Sequence, residues 1–151
     1  FIMAVLLSVF SSLAHAEANV AFSQDVVKSQ AGKTFTLDVL MSDFSAIEGG
    51  GIVLNYNSDL LQVTNVSVDS SVWKFVNKSG EPDNVNGTVS GILFSNYQGV
   101  SGDAKIATIE FKAISRGRGE IKLKESEANP FASNGQKIDV TFSTTKIRVR
   151  R

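Results

Sequence analysis

The stretch SAIEGGGIVLNYNSDLLQV, residues 45–63, joins three consecutive glycines to an apolar segment that ends at Tyr56. Alternate residues Ile52, Leu54 and Tyr56 are apolar or aromatic, which is the period of a β-strand with one buried face. Glycine weakens a strand interior because it has no Cβ to pack, so three in a row require a reason. The candidate reasons are a bulge, a close backbone approach, or a surface kept bare for a partner.

The two-residue period recurs along the chain, and helical periodicity is nearly absent. Turn signals rich in Gly, Asn and Asp separate the alternating segments, among them Arg116-Gly117-Arg118-Gly119 and Ser133-Asn134-Gly135. We count about nine strands, near residues 19–23, 34–41, 50–56, 61–68, 73–77, 87–96, 105–114, 119–124 and 136–149, the last being two strands or one bent strand. Short strands at this spacing predict a single all-β domain, either a sandwich or a barrel.

The first sixteen residues, FIMAVLLSVFSSLAHA, form an apolar run closed by Ala14-His15-Ala16. This is the h-region and cleavage pattern of a secretory signal peptide, here without its basic n-region. We therefore predict an N-terminally truncated signal peptide over 1–16 and a folded domain over 17–151. The expected location is outside the cell or on a bacterial cell surface, with no membrane insertion after cleavage.

The residue types exclude several kinds of chemistry. His15 is the only histidine and there is no cysteine, so the chain without its leader lacks the residues of Ser-His-Asp and Cys-His catalysis and of the usual zinc sites. Lysine plus arginine equal aspartate plus glutamate, 15 against 15, so no global field favours nucleic acid. Exposed strand carboxylates such as Glu110 and Glu120 are interpreted as a solvated face. We therefore predict a protein that is not an enzyme and needs no cofactor or metal. The oxygen-rich segment 81–87 lacks the pattern of an EF-hand calcium loop, so we interpret it as a turn.

Four segments in order resemble a bacterial cohesin domain: AGKTFTLDVLMSD, GGGIVLNYNSDLLQVTNV, DAKIATIEFKAISRGRGEIKL and NPFASNGQKIDVTFSTTKIRV. The family's Tyr-Asp-Pro-x-x-Leu corner is similar to residues 56–61 here, which keep the Tyr and Leu and lose the Asp-Pro. The resemblance covers about residues 19–149. It implies a nine-stranded jelly-roll β-sandwich of two antiparallel sheets and a non-catalytic module that docks a dockerin, in a polysaccharide-degrading or surface assembly.

The resemblance also implies a site on one outer sheet face. The polar pair that cohesins offer to a dockerin falls at Gly49 and Gly51, and the outward neighbours of these glycines are Val53 and Asn55. An acidic contact of the family falls at Asn96. With Leu93 as an apolar neighbour, these six residues form the predicted partner-binding set.

Two alternatives remain open. A carbohydrate-binding module of the same sandwich class would stack sugars on aromatic rings, and Tyr97 and Trp73 are the candidate contacts. Trp73 shares one face of its predicted strand with Phe75, and core packing is the favoured interpretation of that face. A structural or adhesive domain of a larger surface protein is the second alternative.

Overall fold

The structure, a computed structural model, describes residues 18–151, and the predicted signal peptide lies outside them. The strands are β1 (Ala18–Phe22), β2 (Val26–Gln30), β3 (Thr34–Asn55), β4 (Leu61–Val68), β5 (Val76–Asp83), β6 (Thr88–Ala113), β7 (Gly117–Glu125), β8 (Ala132–Ser133), β9 (Gln136–Lys137), β10 (Val140–Phe142) and β11 (Thr145–Arg150). The all-β prediction is confirmed. No helix in the described part of the chain is long and apolar enough to cross a membrane.

Two long strands, β3 and β6, connect the layers of the sandwich. They pair antiparallel along most of their length, with several register shifts between Val39 and Leu54. Asp43 and Ala46 have positive φ angles of 62° and 48°, so the backbone bends sharply within this segment. Each long strand therefore contributes one half to each layer, where the sequence predicted two separate strands.

The first layer contains β10, β1, residues 34–41 of β3, residues 104–113 of β6, and β4. The second contains residues 122–125 of β7, residues 49–55 of β3, residues 88–95 of β6, and β5. The first half of β7 pairs with β11, which pairs in turn with β2. The second layer presents the face on which the site was predicted.

The core lies between the layers and follows the predicted alternation. Leu37, Val39 and Met41 of β3 are buried, as are Ile109 and Phe111 of β6. Each of these sets occupies alternate positions of its strand, so one face is apolar and the other contacts water. A domain of this size stabilises itself mainly through such burial.

The structure corrects the sequence prediction at the chain ends. β1 pairs parallel with β10, and β2 pairs parallel with β11, so the two sheets are not purely antiparallel. The sequence analysis assigned no strand to 26–30, where β2 lies. Parallel partners must be separated by a long connection, and here almost the whole domain lies between them, so no local pattern marks the pairing.

Residues 73–75 are also corrected, from strand to an irregular segment that follows a turn over 70–72. Asp69 organises this turn: its carbonyl oxygen accepts hydrogen bonds from the backbone N–H groups of Val72 and Trp73, and its carboxylate accepts two from Ser71, one from the backbone N–H and one from the hydroxyl. The hydrogen bond from the Ser71 hydroxyl holds the pKa of Asp69 below its ordinary value. The strand therefore starts at Val76.

The Arg116–Gly119 segment, predicted as a turn, is largely strand. Gly117 and Gly119 lie beneath the buried side chain of Leu60. A Cβ built on Gly117 would lie 2.5 Å from Leu60 Cδ2, and one on Gly119 would lie 3.0 Å from Leu60 Cδ1. These glycines are required by close packing rather than by a turn, and the Arg118 side chain between them is exposed.

Candidate functional site

The predicted site lies on the outer side of the second layer, and we call it the glycine face. It consists of the outward-facing residues of β3 (49–55), β6 (93–95), β5 (76–78) and β7 (122–124). Strand pairing arranges them in cross-strand rows: Gly49, Ser95 and Val76; Gly51, Leu93 and Lys78; Val53 and Lys124; Asn55 and Lys122. Side chains in one row lie within contact distance of one another.

Close packing explains the three glycines of β3. A Cβ on Gly49 would lie 2.5 Å from the carbonyl oxygen of Phe94. On the opposite side of the strand, a Cβ on Gly50 would lie 2.7 Å from the Phe131 ring. The glycines therefore allow a neighbouring strand and a core aromatic ring to approach the β3 backbone.

Gly51 is also covered, which corrects its predicted role. A Cβ there would lie 2.9 Å from Leu93 Cδ2 and 3.0 Å from the Cβ atoms of Ser126 and Asn129. Gly51 is buried, so it does not present bare backbone to a partner. Its absent side chain instead allows Leu93 to lie flat across the sheet.

Val53 and Asn55 have the predicted orientation. Both are half-buried, while Ile52 and Leu54 between them are fully buried. Leu93 is half-buried on the same outer face. These three residues and Gly49 remain available to a partner.

Asn96 faces the interior, which corrects its assignment to this face. It is 9% exposed, its side-chain amide donates a hydrogen bond of 2.9 Å to the carbonyl oxygen of Val72, and its Oδ1 accepts one from the Gln98 N–H. Residues three apart in a regular strand lie on opposite faces, so Asn96 cannot accompany Leu93. Ser95 takes the outward position, and its hydroxyl oxygen accepts a hydrogen bond from the Val76 N–H.

A shallow depression of about 430 Å³ lies on this face. Its lining comes from β3, β5, β6, β8 and the loop between β7 and β8, and comprises Glu48, Gly49, Gly50, Val76, Leu93, Phe94, Ser95, Tyr97, Ala128, Asn129, Pro130 and Ala132. Most of these side chains are apolar or small. The surface can therefore accept an apolar group of a partner, and Glu48 is the charged residue of the lining.

Two exposed aromatic rings stand at the edge of the depression. Phe75 is 52% exposed and Tyr97 is 68% exposed, and their ring centroids lie 4.5 Å apart at an interplanar angle of 33°. Tyr97 was predicted as a sugar contact from the sequence, but Phe75 was not, because Phe75 was placed beside Trp73 on one face of a predicted strand. The pair extends the exposed apolar surface beside the depression, and contiguous exposed apolar surface marks sites of interaction.

Trp73 has no exposed face, which corrects its assignment as a sugar contact. Its side chain is fully buried, its indole N–H donates a hydrogen bond of 3.1 Å to the carbonyl oxygen of Lys105, and its ring packs on Phe94 at 4.6 Å. A sugar needs an accessible ring face. Core packing accounts for this tryptophan.

The glycine face carries positive charge. Lys78, Lys122 and Lys124 occupy its rows and are exposed. Of the carboxylates near its edges, Glu120 pairs with Lys122 at 3.4 Å, Glu48 accepts a hydrogen bond from the Asn134 N–H, and Glu125 pairs with Lys137 at 3.6 Å. The acidic contact expected from the family is therefore absent from the described rows.

The Tyr56 corner holds the end of β3 in place. The Tyr56 hydroxyl donates a hydrogen bond to Asn84 Oδ1, and the Asn84 amide bonds both the N–H and the carbonyl of Val63. Burial raises the pKa of Tyr56 above its ordinary value. The sequence did not predict this role of Asn84, because its segment was interpreted only as a turn.

The described residues offer little for metal chemistry. Within 18–151 no three His, Cys, Asp or Glu side chains form a group that could hold a metal ion. The oxygen-rich segment 81–87, predicted as a turn, is strand up to Asp83 and turn over 84–87. The Asp83 carboxylate accepts hydrogen bonds from the N–H groups of Val85 and Asn86. These oxygens stabilise the turn.

Comparison with known proteins gives a consistent result. The family model described as "Cohesin domain" matches residues 20–149. A cohesin from a type I cohesin–dockerin complex of Clostridium thermocellum (OlpA) has a TM-score of 0.72 at 14% identity, covering 89% of this chain and 99% of that one. The third ScaC cohesin of Acetivibrio cellulolyticus, solved with the ScaB dockerin, has a TM-score of 0.69 at 17% identity, covering 89% and 99%. A non-cellulosomal cohesin of the archaeon Archaeoglobus fulgidus has a TM-score of 0.70 at 14% identity, covering 90% and 93%. No curated protein sequence matches the chain significantly.

Proposed function

This chain belongs to the cohesin family, and on that premise we propose that it is a non-catalytic docking module that binds a dockerin-type partner on the glycine face. One observation carries the proposal: a flat sheet face on which an apolar depression is bordered by the exposed Phe75–Tyr97 pair. Solved relatives with this fold include cohesins in complex with dockerins. We further propose that the protein is secreted or held at a bacterial cell surface, in a polysaccharide-degrading or surface assembly; the apolar leader over 1–16 supports this.

Apolar contact supplies most of the affinity in this proposal. Tyr97 and Phe75 present large rigid surfaces with few rotatable bonds, and aromatic residues of this kind dominate interface energetics. Leu93 and Val53 extend the apolar surface towards β7. The lysines along the rows favour a partner whose contact surface carries carboxylates rather than cations.

Isothermal titration tests the proposal directly. The full chain is titrated with each dockerin encoded in the same genome, and the titration is repeated with Tyr97→Ala. We expect binding to at least one dockerin and a loss of about 2 kcal/mol in the variant, which is roughly 30-fold in Kd. Val85→Ala is the matched control, because Val85 is 85% exposed at a turn outside the glycine face.

Two outcomes would contradict the proposal in different ways. If no dockerin binds the wild-type chain, the docking function is wrong. If a dockerin binds and Tyr97→Ala has the same affinity as Val85→Ala, the function stands and the assigned face is wrong.

The exposed ring pair also favours a second candidate, carbohydrate binding on the same face. Phe75 and Tyr97 are the exposed aromatic residues at this face, and they replace the predicted pair, Tyr97 and Trp73, as candidate sugar contacts. A pull-down with insoluble polysaccharides tests it: retention of the wild-type chain that is lost in both Tyr97→Ala and Phe75→Ala supports the candidate, and retention unchanged in both variants contradicts it.

A further inference from the structure

The arginines of this protein are gathered in one place, although its lysines are dispersed. The chain has five arginines, Arg116, Arg118, Arg148, Arg150 and Arg151. About thirty residues separate the two groups, yet β7 and β11 are paired strands, and each arginine lies on one of them or immediately beside it. The fold therefore assembles all the guanidinium groups of the chain at one surface.

The centre of this surface is a row of three cations. Arg148 of β11 is aligned with Lys28 of β2 on one side and with Arg118 of β7 on the other. All three side chains are exposed, and neighbouring strands are about 4.8 Å apart. Like charges directly opposite each other destabilise a sheet, so repulsion within this row lowers the stability of the protein when nothing is bound to it.

Within residues 18–151 no carboxylate forms an ion pair with these arginines, so the repulsion is not offset in that way. The ion pairs there are Lys122–Glu120 and Lys137–Glu125, and neither includes an arginine. Glu120 is the acidic residue in the neighbouring row, aligned with Lys146. The cationic row thus has unused capacity for an anion.

The same surface is concave. A depression of about 440 Å³ is lined by Val26, Arg118, Gly119, Glu120, Lys146, Ile147 and Arg148. A second of about 230 Å³ is lined by Arg116, Arg148, Val149, Arg150 and Arg151. Because Arg148 lines both, the two depressions together form a trough that follows β11, and we call it the arginine trough.

We propose that the arginine trough binds an extended, carboxylate-bearing polysaccharide. A guanidinium group presents two parallel N–H donors that match a carboxylate in a bidentate pair, which an ammonium group does not. Cations on neighbouring strands and along β11 suit a linear polymer that carries acidic groups at regular intervals. Val26, 55% exposed, and the aliphatic stems of the basic side chains offer apolar contact to sugar rings.

Other polyanions fit this surface less well. Single-stranded nucleic acid is held by stacking on aromatic rings, and β2, β7 and β11 contain none. A membrane surface is gripped by inserted apolar side chains as well as by basic ones, and Val26 is the large exposed hydrophobic residue of these three strands. The proposal is independent of dockerin binding, because the glycine face is built from β3, β5, β6 and the far end of β7.

Binding of polygalacturonate oligosaccharides to the full chain tests the proposal. We expect binding at low salt that weakens as NaCl is added, because the contacts are charge–charge contacts at a surface. An uncharged oligosaccharide of the same length should not bind. Arg148→Glu should weaken binding about tenfold or more. Arg148→Lys should weaken it to a lesser but measurable degree, because lysine keeps the positive charge but lacks the two parallel N–H donors of the guanidinium group.

The matched control is Lys112→Glu, which makes the same charge change at an exposed position of β6 paired with Thr34 and Gln62. Thermal unfolding of each variant checks that it is folded. The proposal is overturned if polygalacturonate does not bind at low salt, or if Arg148→Glu and Lys112→Glu weaken binding equally. It is also overturned if duplex DNA or vesicles of anionic phospholipid bind more tightly than polygalacturonate.

Discussion

Replacement of Gly50 by alanine tests whether close packing explains the glycine run. The new Cβ would lie 2.7, 3.0 and 3.1 Å from three atoms of the Phe131 ring. That ring is fully buried and contacts the rings of Phe44 and Phe94 at centroid distances of 5.7 and 5.3 Å, so it has little room to move. Overpacking of this kind costs about 1–3 kcal/mol, and the lower entropy of the unfolded alanine chain returns about 0.4–1 kcal/mol.

The net expectation for Gly50→Ala is a loss of roughly 1–2 kcal/mol in the free energy of unfolding. For about 130 folded residues, an unfolding entropy of ~2.1 cal/mol/K per residue converts this to a fall in Tm of about 3–7 °C. Differential scanning calorimetry measures the shift. Gly119→Ala is the matched comparison. Its loss should be smaller because its Cβ would lie 3.0 Å from Leu60 Cδ1, the end of a flexible side chain, and 3.7 Å from the next atom, Ile147 Cγ2.

A double-mutant cycle identifies the cause. Phe131→Leu removes part of the ring and has its own cost, but it makes room for the added methyl group. The loss caused by Gly50→Ala should therefore shrink by about 0.5 kcal/mol or more in the Phe131→Leu background. The reasoning is refuted if Gly50→Ala is within about 0.5 kcal/mol of wild type, or if the two changes are additive.

Three further perturbations have expected outcomes. Arg148→Glu should raise the free energy of unfolding at low salt by about 0.2–1 kcal/mol, because it replaces the middle cation of a like-charged row. Urea denaturation at low salt and at 1 M NaCl should show that this gain in stability becomes smaller as salt is added. A loss of stability at low salt would show that the three cations do not repel one another. Asn84→Ala should cost about 1–3 kcal/mol in urea denaturation, because both backbone groups of Val63 lose their side-chain partner; a change below 0.5 kcal/mol, on the order of a neutral surface substitution, would show that water replaces the amide. The hydrogen bond from the Asn86 N–H holds the pKa of Asp83 in the folded protein below its ordinary value. This carboxylate therefore stabilises the fold fully above its unfolded-state pKa of about 3.9, and the stabilisation is lost as the pH falls through the lower pKa of the folded state. Asp83→Asn should flatten the acid side of a stability–pH curve, and an unchanged slope between pH 2.5 and 5 would contradict this assignment.

Local patterns in the sequence predict the core of this fold well. Leu37, Val39 and Met41 alternate with polar residues, and all three are buried as that period requires. The Asn134-Gly135 pair predicts a hairpin turn, and both residues have the positive φ angles of such a turn, 52° and 71°. These features depend on neighbouring residues, so the sequence carries them directly.

Features that depend on distant residues are not predictable in this way. Gly117 and Gly119 have the composition of a turn, but they are needed because Leu60, far away in sequence, packs against the strand they form. The parallel pairing of β2 with β11 joins opposite ends of the chain. No local period marks either contact.

The candidate site was predicted in part. Alternation alone places Val53 and Asn55 on the outer face, and the structure agrees. Asn96 was placed there from the family pattern, against the period of its own strand, and it is buried. The same period would have identified Ser95. Phe75 could not be found by alternation, because the backbone there is irregular.

The parallel pairing at the chain ends bears on how the domain responds to tension. β2 and β11 run side by side in the same direction over five aligned residue pairs, from Val26–Lys146 to Gln30–Arg150. If force pulls the N-terminal end of β2 and the C-terminal end of β11 in opposite directions, the two strands slide along each other. The evenly spaced hydrogen bonds of a parallel ladder then resist together, whereas a hairpin pulled at its open end separates one bond at a time. A domain held in this way keeps its folded faces presented while its ends are under load.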